Sequence, residues 1–144
     1  MHGDDQYKVD DVLALLEALD EADVDLGSRF LQNEGETIPG WRRWGNRGLT
    51  TLFNRTLSTA FTDLHTGARA FRADALRRLP LASFSDDYLF DQQLLVGAVR
   101  DGQRVTERPC RVTYDPSVQS ISLGRSVVYG LGCVRTILGS GPGV

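Results

Sequence analysis

The residue types best able to do chemistry stand at the start of the chain, in the run His2-Gly3-Asp4-Asp5-Gln6-Tyr7. On an extended strand, side chains two apart point the same way, so His2, Asp4 and Gln6 share one face while Asp5 and Tyr7 take the other. One nitrogen and two oxygen donors grouped in this way can hold a divalent cation. A single carboxylate binds a hard dication weakly, so phosphate oxygens of a substrate must complete the shell, as is usual for Mg²⁺ and Mn²⁺. The imidazole favours the softer Mn²⁺. The plain alternative is an acidic N-terminus ahead of a capped helix, because short motifs match often. A strand-end metal motif normally follows a nucleotide-binding lobe. Here it stands directly after Met1, so the chain reads as the back half of an enzyme.

The elements that must position such a site are those of an α/β domain. Asp10 reads as a helix N-cap, and Val12, Leu13, Leu15, Leu16 and Leu19 supply an apolar face at helical spacing. Val24-Asp25-Leu26 alternates as a strand does, and Gly27-Ser28-Arg29 closes it with a turn. Residues 31–40, with two glycines and a proline, read as a loop beside the strand end. From Trp41 to Phe61, apolar residues recur at i, i+3 and i+4, giving a long amphipathic helix with Arg42, Arg43, Arg47 and Arg55 near its other face. Asp63 to Phe71 reads as a polar turn, followed by a short helix near Arg72 to Leu79. Ser85-Asp86-Asp87 should cap a helix running to about Asp101, with Gly102 as its C-cap. A strand is expected within Arg104 to Tyr114, at an edge or bulged because Pro109 lacks a ladder donor. A last amphipathic helix spans Ile121 to Leu138. The expected division is 1–116 for the sheet-containing part and 117–144 for the C-terminal helix and a frayed tail.

Composition sets bounds. The chain has 144 residues, 41% apolar and 24% charged, which is ordinary for a globular domain. Cys110 and Cys133 form no Cys-x-x-Cys pair, which suggests neither a disulfide framework nor a thiolate metal site and fits a reducing compartment. No secretory leader precedes the motif, and the longest apolar stretch, Val127 to Val134, falls short of the roughly 20 residues that span a bilayer. The expected location is cytoplasmic, with peripheral contact at the inner face of the membrane as a further expectation. Charge is unevenly spread: residues 1–36 carry 11 acids and 2 bases, whereas 37–144 carry 14 bases, all arginine, and 8 acids. Such a surface suits phosphate or lipid headgroups; no nucleic-acid module is recognisable.

Several further patterns follow in order: Gly27-Ser28-Arg29, Asn46-Arg47, His65-Thr66-Gly67-x-Arg69-Ala70-Phe71, Ser85-Asp86-Asp87-Tyr88-x-Phe90-Asp91, and Ser120-x-Ser122 before Arg125-Ser126-Val127-x-Tyr129-Gly130. Together with the opening motif, they resemble the family 2 glycosyltransferases, and among these the prokaryotic branch related to dolichol-phosphate mannose synthase, over nearly the whole chain. The resemblance implies an incomplete GT-A fold, a Rossmann-like mixed sheet flanked by helices, without the first lobe that carries most of the nucleoside pocket. It also implies a sugar moved with inversion from a nucleotide-sugar donor to a polyprenyl phosphate or other acceptor, with Mn²⁺ or Mg²⁺ at Asp4, Gln6 and His2 neutralising the leaving diphosphate. Lys8-Val9 stands where the family has Asp-Pro, and Ala68 replaces a usual aromatic residue.

A hydroxyl acceptor would require a general base. Asp91 is the first choice, with Asp87 and Asp63 second. A phosphate acceptor is already anionic, and Arg29, Arg47 and Arg69 would then clamp its oxygens, with Ser28 and His65 alongside as substrate-binding residues. Each assignment has a structural counterpart: caps for Asp63 and Asp87, an ion pair with Asp63 or Asp91 for Arg69, a hydrogen-bonded loop role for His65, and sheet cover rather than a membrane anchor for Trp41 and Trp44. A non-catalytic remnant that binds metal, a phosphate ligand or a protein partner is the alternative function. The unpaired sheet edge of a partial domain also favours self-association into a homo-oligomer.

Overall fold

The computed structural model describes residues 7–31, 40–111 and 123–139; at 40–42, 123 and 125 it describes the backbone alone. His2, Asp4, Gln6 and most of the 31–40 loop lie outside the described residues. The elements are α1 (Val9–Glu17), β1 (Val24–Ser28), α2 (Gly40–Leu57), β2 (Arg69–Phe71), α3 (Ala73–Arg77), α4 (Phe90–Arg100), β3 (Val105–Pro109) and α5 (Leu123–Leu138). The fold is α/β with a mixed sheet of order β2-β1-β3: β2 is antiparallel to β1 and β3 is parallel to it.

Every residue of β1 is buried, as a strand paired on both sides and covered on both faces must be. Its alternation sorts two layers. Val24 and Leu26 join Phe53 of α2, Leu94, Leu95 and Ala98 of α4, and Ile137 of α5 in the main core. On the opposite face, Leu15 of α1 packs with Ala68, Ala70 and Cys110. Gly27 lies on this second face, where a Cβ would stand 2.6 Å from the Cys110 Cβ and 2.9 Å from the Ala68 Cβ.

Several local expectations are corrected. The first helix begins at Val9 after Lys8, with no side-chain cap, and Asp11 instead accepts from the backbone and guanidinium of Arg111, tying α1 to the end of β3. Leu13 and Leu16, read as core-facing, are more than half exposed together with Val9, because only one side of α1 meets the sheet. Gly27 and Ser28 are strand rather than turn, and the supposed turn at 69–71 is β2. Pairing with β3 decides the first and pairing with β1 the second, and composition shows neither. The fourth helix starts at Phe90, because Asp87 closes a separate turn by accepting from Ser85 Oγ at 3.0 Å and the Leu89 N–H at 2.8 Å. Pro109 does lie on an edge strand, at its last paired position, and Gly102 has φ +73 after α4.

Past the end of α2, Ser58 holds φ +54, a left-handed conformation that costs a residue with a Cβ. Asn54 fastens the turn that follows: its amide donates to the Phe61 carbonyl and accepts from the Thr59 hydroxyl and the Phe61 N–H. Ser58→Gly is expected to stabilise the protein by about 0.5–1 kcal/mol in urea unfolding; an unchanged or lower midpoint would contradict the strain.

Candidate functional site

The carboxyl end of β1 is the focus. There the Arg29 guanidinium donates to both oxygens of Asp63, Nε to Oδ2 at 2.6 Å and Nη2 to Oδ1 at 2.9 Å. Asp63 is completely buried and the Arg29 side chain nearly so. The carboxylate also accepts the backbone N–H groups of Arg29 and His65. Burial alone would raise the Asp63 pKa, but these donors, Arg29 foremost, hold it below the usual carboxylate range. Ser28 shares a 2.6 Å hydrogen bond with the Thr62 hydroxyl.

Glu107 on β3 was invisible as a site residue. Its carboxylate accepts the N–H groups of Thr62 and Asp63 and so fixes the segment from which Asp63 projects. Burial raises its pKa, opposed by these bonds. An isolated Val-Thr-Glu strand gives no hint of this role; only the parallel pairing of β3 with β1 brings it to residues 62 and 63.

Among the described residues, Arg69 forms no carboxylate ion pair. Its guanidinium donates to the carbonyls of Thr66, Leu64 and Asp91 and thereby staples the 64–69 loop to the first turn of α4. This leaves the Asp91 carboxylate half-buried at that turn, with no hydrogen bond among the described residues. It lies close enough to Tyr129 to contribute to raising the phenol pKa, although burial is the larger cause. Tyr129 reaches across from α5, its hydroxyl 3.1 Å from His65 Nδ1. His65 Nε2 is buried without a partner among the described residues. Burial pushes the imidazole pKa down to about 4, so the ring is neutral at pH 7. Cys133 sits beside Tyr129, its thiol pushed up to about 11 by burial.

Thus Ser28, Arg29, Asp63 and the His65 N–H lie along one set of hydrogen bonds through Thr62 and Glu107, and Arg69 joins the neighbouring 64–66 backbone to the Asp91 carbonyl. Asp87 is held in its own exposed turn, and Arg47 stands exposed on α2 without a hydrogen bond or ion pair from its side chain to the cluster. Tyr7, the last residue of the opening motif, is tied in: its hydroxyl accepts the Gly67 N–H at 2.9 Å. Among the described residues no group of three or more His, Cys, Asp or Glu side chains could hold a metal ion, and no helix is long and apolar enough to cross a membrane.

Comparison with known proteins adds one functional relation. The chain is 30% identical over 128 residues to the low-salt glycan biosynthesis hexosyltransferase Agl6 of Haloferax volcanii, covering 85% of this chain and 29% of that protein. It is also 29% identical over 109 residues to an uncharacterized protein of Methanocaldococcus jannaschii, covering 75% of this chain and 44% of the relative. The similarity relates the chain, distantly, to glycosyltransferases. It spans less than half the length of either relative. No protein-family model and no solved structure matches the chain.

Proposed function

We propose that the chain carries the metal and acceptor side of a family 2 glycosyltransferase, moving a sugar with inversion from a nucleotide-sugar donor to a polyprenyl phosphate or other acceptor. The observation that carries this reading is the Tyr7–Gly67 hydrogen bond, which tethers the end of the His2-x-Asp4-x-Gln6 motif to the loop bearing His65 and Arg69. The distant hexosyltransferase similarity supports it. The donor chemistry of His2, Asp4 and Gln6 suits Mn²⁺ or Mg²⁺, and anchoring of the residue next to Gln6 fits a motif held at the site. When bound, the cation would neutralise charge on the departing diphosphate.

The chain's own groups divide the remaining tasks. The Arg29–Asp63 pair and Glu107 make the floor rigid, so Arg29 serves as a positioning residue whose two hydrogen-bonding arms are already engaged. Arg69 orients the start of α4. Asp91 is the carboxylate left to face an acceptor: with a hydroxyl it would take the proton, and with a phosphate monoester it has no proton to remove. Asp63, saturated by donors, is assigned a structural role, and so is Asp87. The second reading, a non-catalytic binding remnant, draws on the same saturation of Arg29, Asp63 and Arg69 by one another and by backbone.

Calorimetric titration with a nucleoside diphosphate and Mn²⁺ tests the proposal. Binding to the wild type, weakened on the order of tenfold or more in Asp4→Ala, is expected. Absence of binding in both would favour the remnant, and equal binding in both would remove Asp4 from the site.

A further inference from the structure

The last helix brings a side chain of its own to the site. Tyr129 projects from α5, and its hydroxyl lies 3.1 Å from His65 Nδ1, the two rings meeting edge to face with centroids 5.7 Å apart. The imidazole is neutral at pH 7, so one of its nitrogens carries a proton and the other accepts. Tyr129 has one proton to give and two neighbours able to receive it, His65 Nδ1 and the Cys133 sulfur one turn along α5. An imidazole nitrogen accepts far more strongly than a thiol, which is a weak donor and a weak acceptor. The hydroxyl therefore donates to Nδ1, and its oxygen is left to accept from the thiol. The imidazole proton must then sit on Nε2.

Nε2 is buried and has no partner among the described residues. A buried N–H left unpaired is costly, and native proteins keep such a group where a ligand, ion or water pairs with it. The charges acting on the ring are those of Arg29 and Arg69 against the carboxylate of Asp63, with Asp91 acting on the Tyr129 end. Two cations to one anion suit an anionic oxygen, which also makes the stronger hydrogen bond. We propose that Tyr129 is a positioning residue: its hydroxyl locks His65 in the tautomer that presents Nε2–H to a phosphate oxygen of the bound substrate. The phosphate is that of the acceptor or of the donor's diphosphate, and this half of the inference rests on the transferase reading. The tautomer rests on the side-chain geometry. With its proton on Nε2, His65 has no lone pair there to act as a base, which leaves any proton removal to Asp91.

Long-range ¹⁵N–¹H correlation spectra of the full chain, labelled in histidine, read the tautomer directly; His65→Gln identifies the signals, since His2 is the other histidine. The wild type is expected to show a bare Nδ1 and a protonated Nε2 at neutral pH. Tyr129→Phe, which keeps the ring and drops the hydroxyl, should let the two tautomers mix, and circular dichroism reports its folding. Cys133→Ala, which removes the competing acceptor, should keep the wild-type tautomer. A wild type protonated on Nδ1, an unchanged tautomer in folded Tyr129→Phe, or its loss in Cys133→Ala overturns the proposal. Geranyl phosphate and, separately, uridine or guanosine diphosphate with Mg²⁺ are then titrated by calorimetry and in the same spectra. The Nε2 signal should move with the probe that contacts it, which tells acceptor phosphate from donor diphosphate, and Tyr129→Phe should weaken that binding about 3- to 10-fold. In the His65→Gln background Tyr129→Phe should cost nothing further, because the glutamine amide donates whatever the tyrosine does. Equal losses in both backgrounds mark a merely structural tyrosine and overturn the proposal, as does a probe that binds without moving Nε2. Failure of every probe to bind counts against the transferase reading and removes the phosphate contact with it, while the ligand-free spectra decide the role of Tyr129 regardless.

Discussion

Asp63→Ala is expected to lower the unfolding free energy by about 3–5 kcal/mol, because it breaks a buried ion pair and removes the carboxylate to which two nitrogens of the Arg29 guanidinium donate. That is a large share of the 5–15 kcal/mol typical of a domain. The loss also removes the acceptor for the Arg29 and His65 N–H groups. Asp91→Ala, by contrast, should change stability by no more than about 0.5 kcal/mol, since its carboxylate makes no hydrogen bond among the described residues. Urea unfolding of the two variants side by side separates a structural aspartate from one left available for substrate; similar losses in both would erase the distinction.

The same cluster sets an acid limit. The folded-state pKa of His65 lies below its ordinary 6.5, at about 4, so the unfolded chain binds the proton first and stability falls as pH drops from 6.5 toward 4. The Asp63 pKa is also depressed, so the stability it contributes is present above 3.8 and is lost as pH falls below that value. Acid unfolding should therefore begin near the histidine range and steepen below pH 4. His65→Gln should flatten the first phase alone.

The second large effect is at Gly27. Gly27→Ala is expected to cost about 1–3 kcal/mol or more, because the new methyl meets Cβ atoms of Cys110 and Ala68, which are rooted in backbone and cannot swing aside. Gly132→Ala also meets close atoms, but these are the branch tips of Leu89, which can rotate, so its cost should be smaller. Gly45→Ala, within α2 and with open space around it, should stabilise by about 0.5–1 kcal/mol. Thermal unfolding of the three gives the order; a neutral Gly27→Ala would mean that β1 can shift away from Cys110.

Much of the architecture could be read from residue pattern. The apolar spacing from Trp41 to Phe61 and from Ile121 to Leu138 marks two helices by their 3.6-residue period, although the first ends at Leu57, and the Val24 run marks the central strand. These signals are local, so they survive without knowledge of neighbours. The three-residue β2 carries no such signal, since Arg69-Ala70-Phe71 is a strand only because β1 offers it partners.

What the sequence by itself determined was the α/β class, the major helices, the edge position of Pro109 and the pool of polar residues from which a site could be drawn. Tertiary structure decided their roles. It paired Arg29 with Asp63, turned Arg69 onto three carbonyls, left the Asp91 carboxylate without a hydrogen bond among the described residues, and brought in Glu107 and Tyr129 from distant segments. The physical reason is range: helical and strand periodicity arises within a few residues, whereas the Asp63, Glu107 and His65 contacts join groups 34 to 64 positions apart, and only packing of the whole chain selects those pairs.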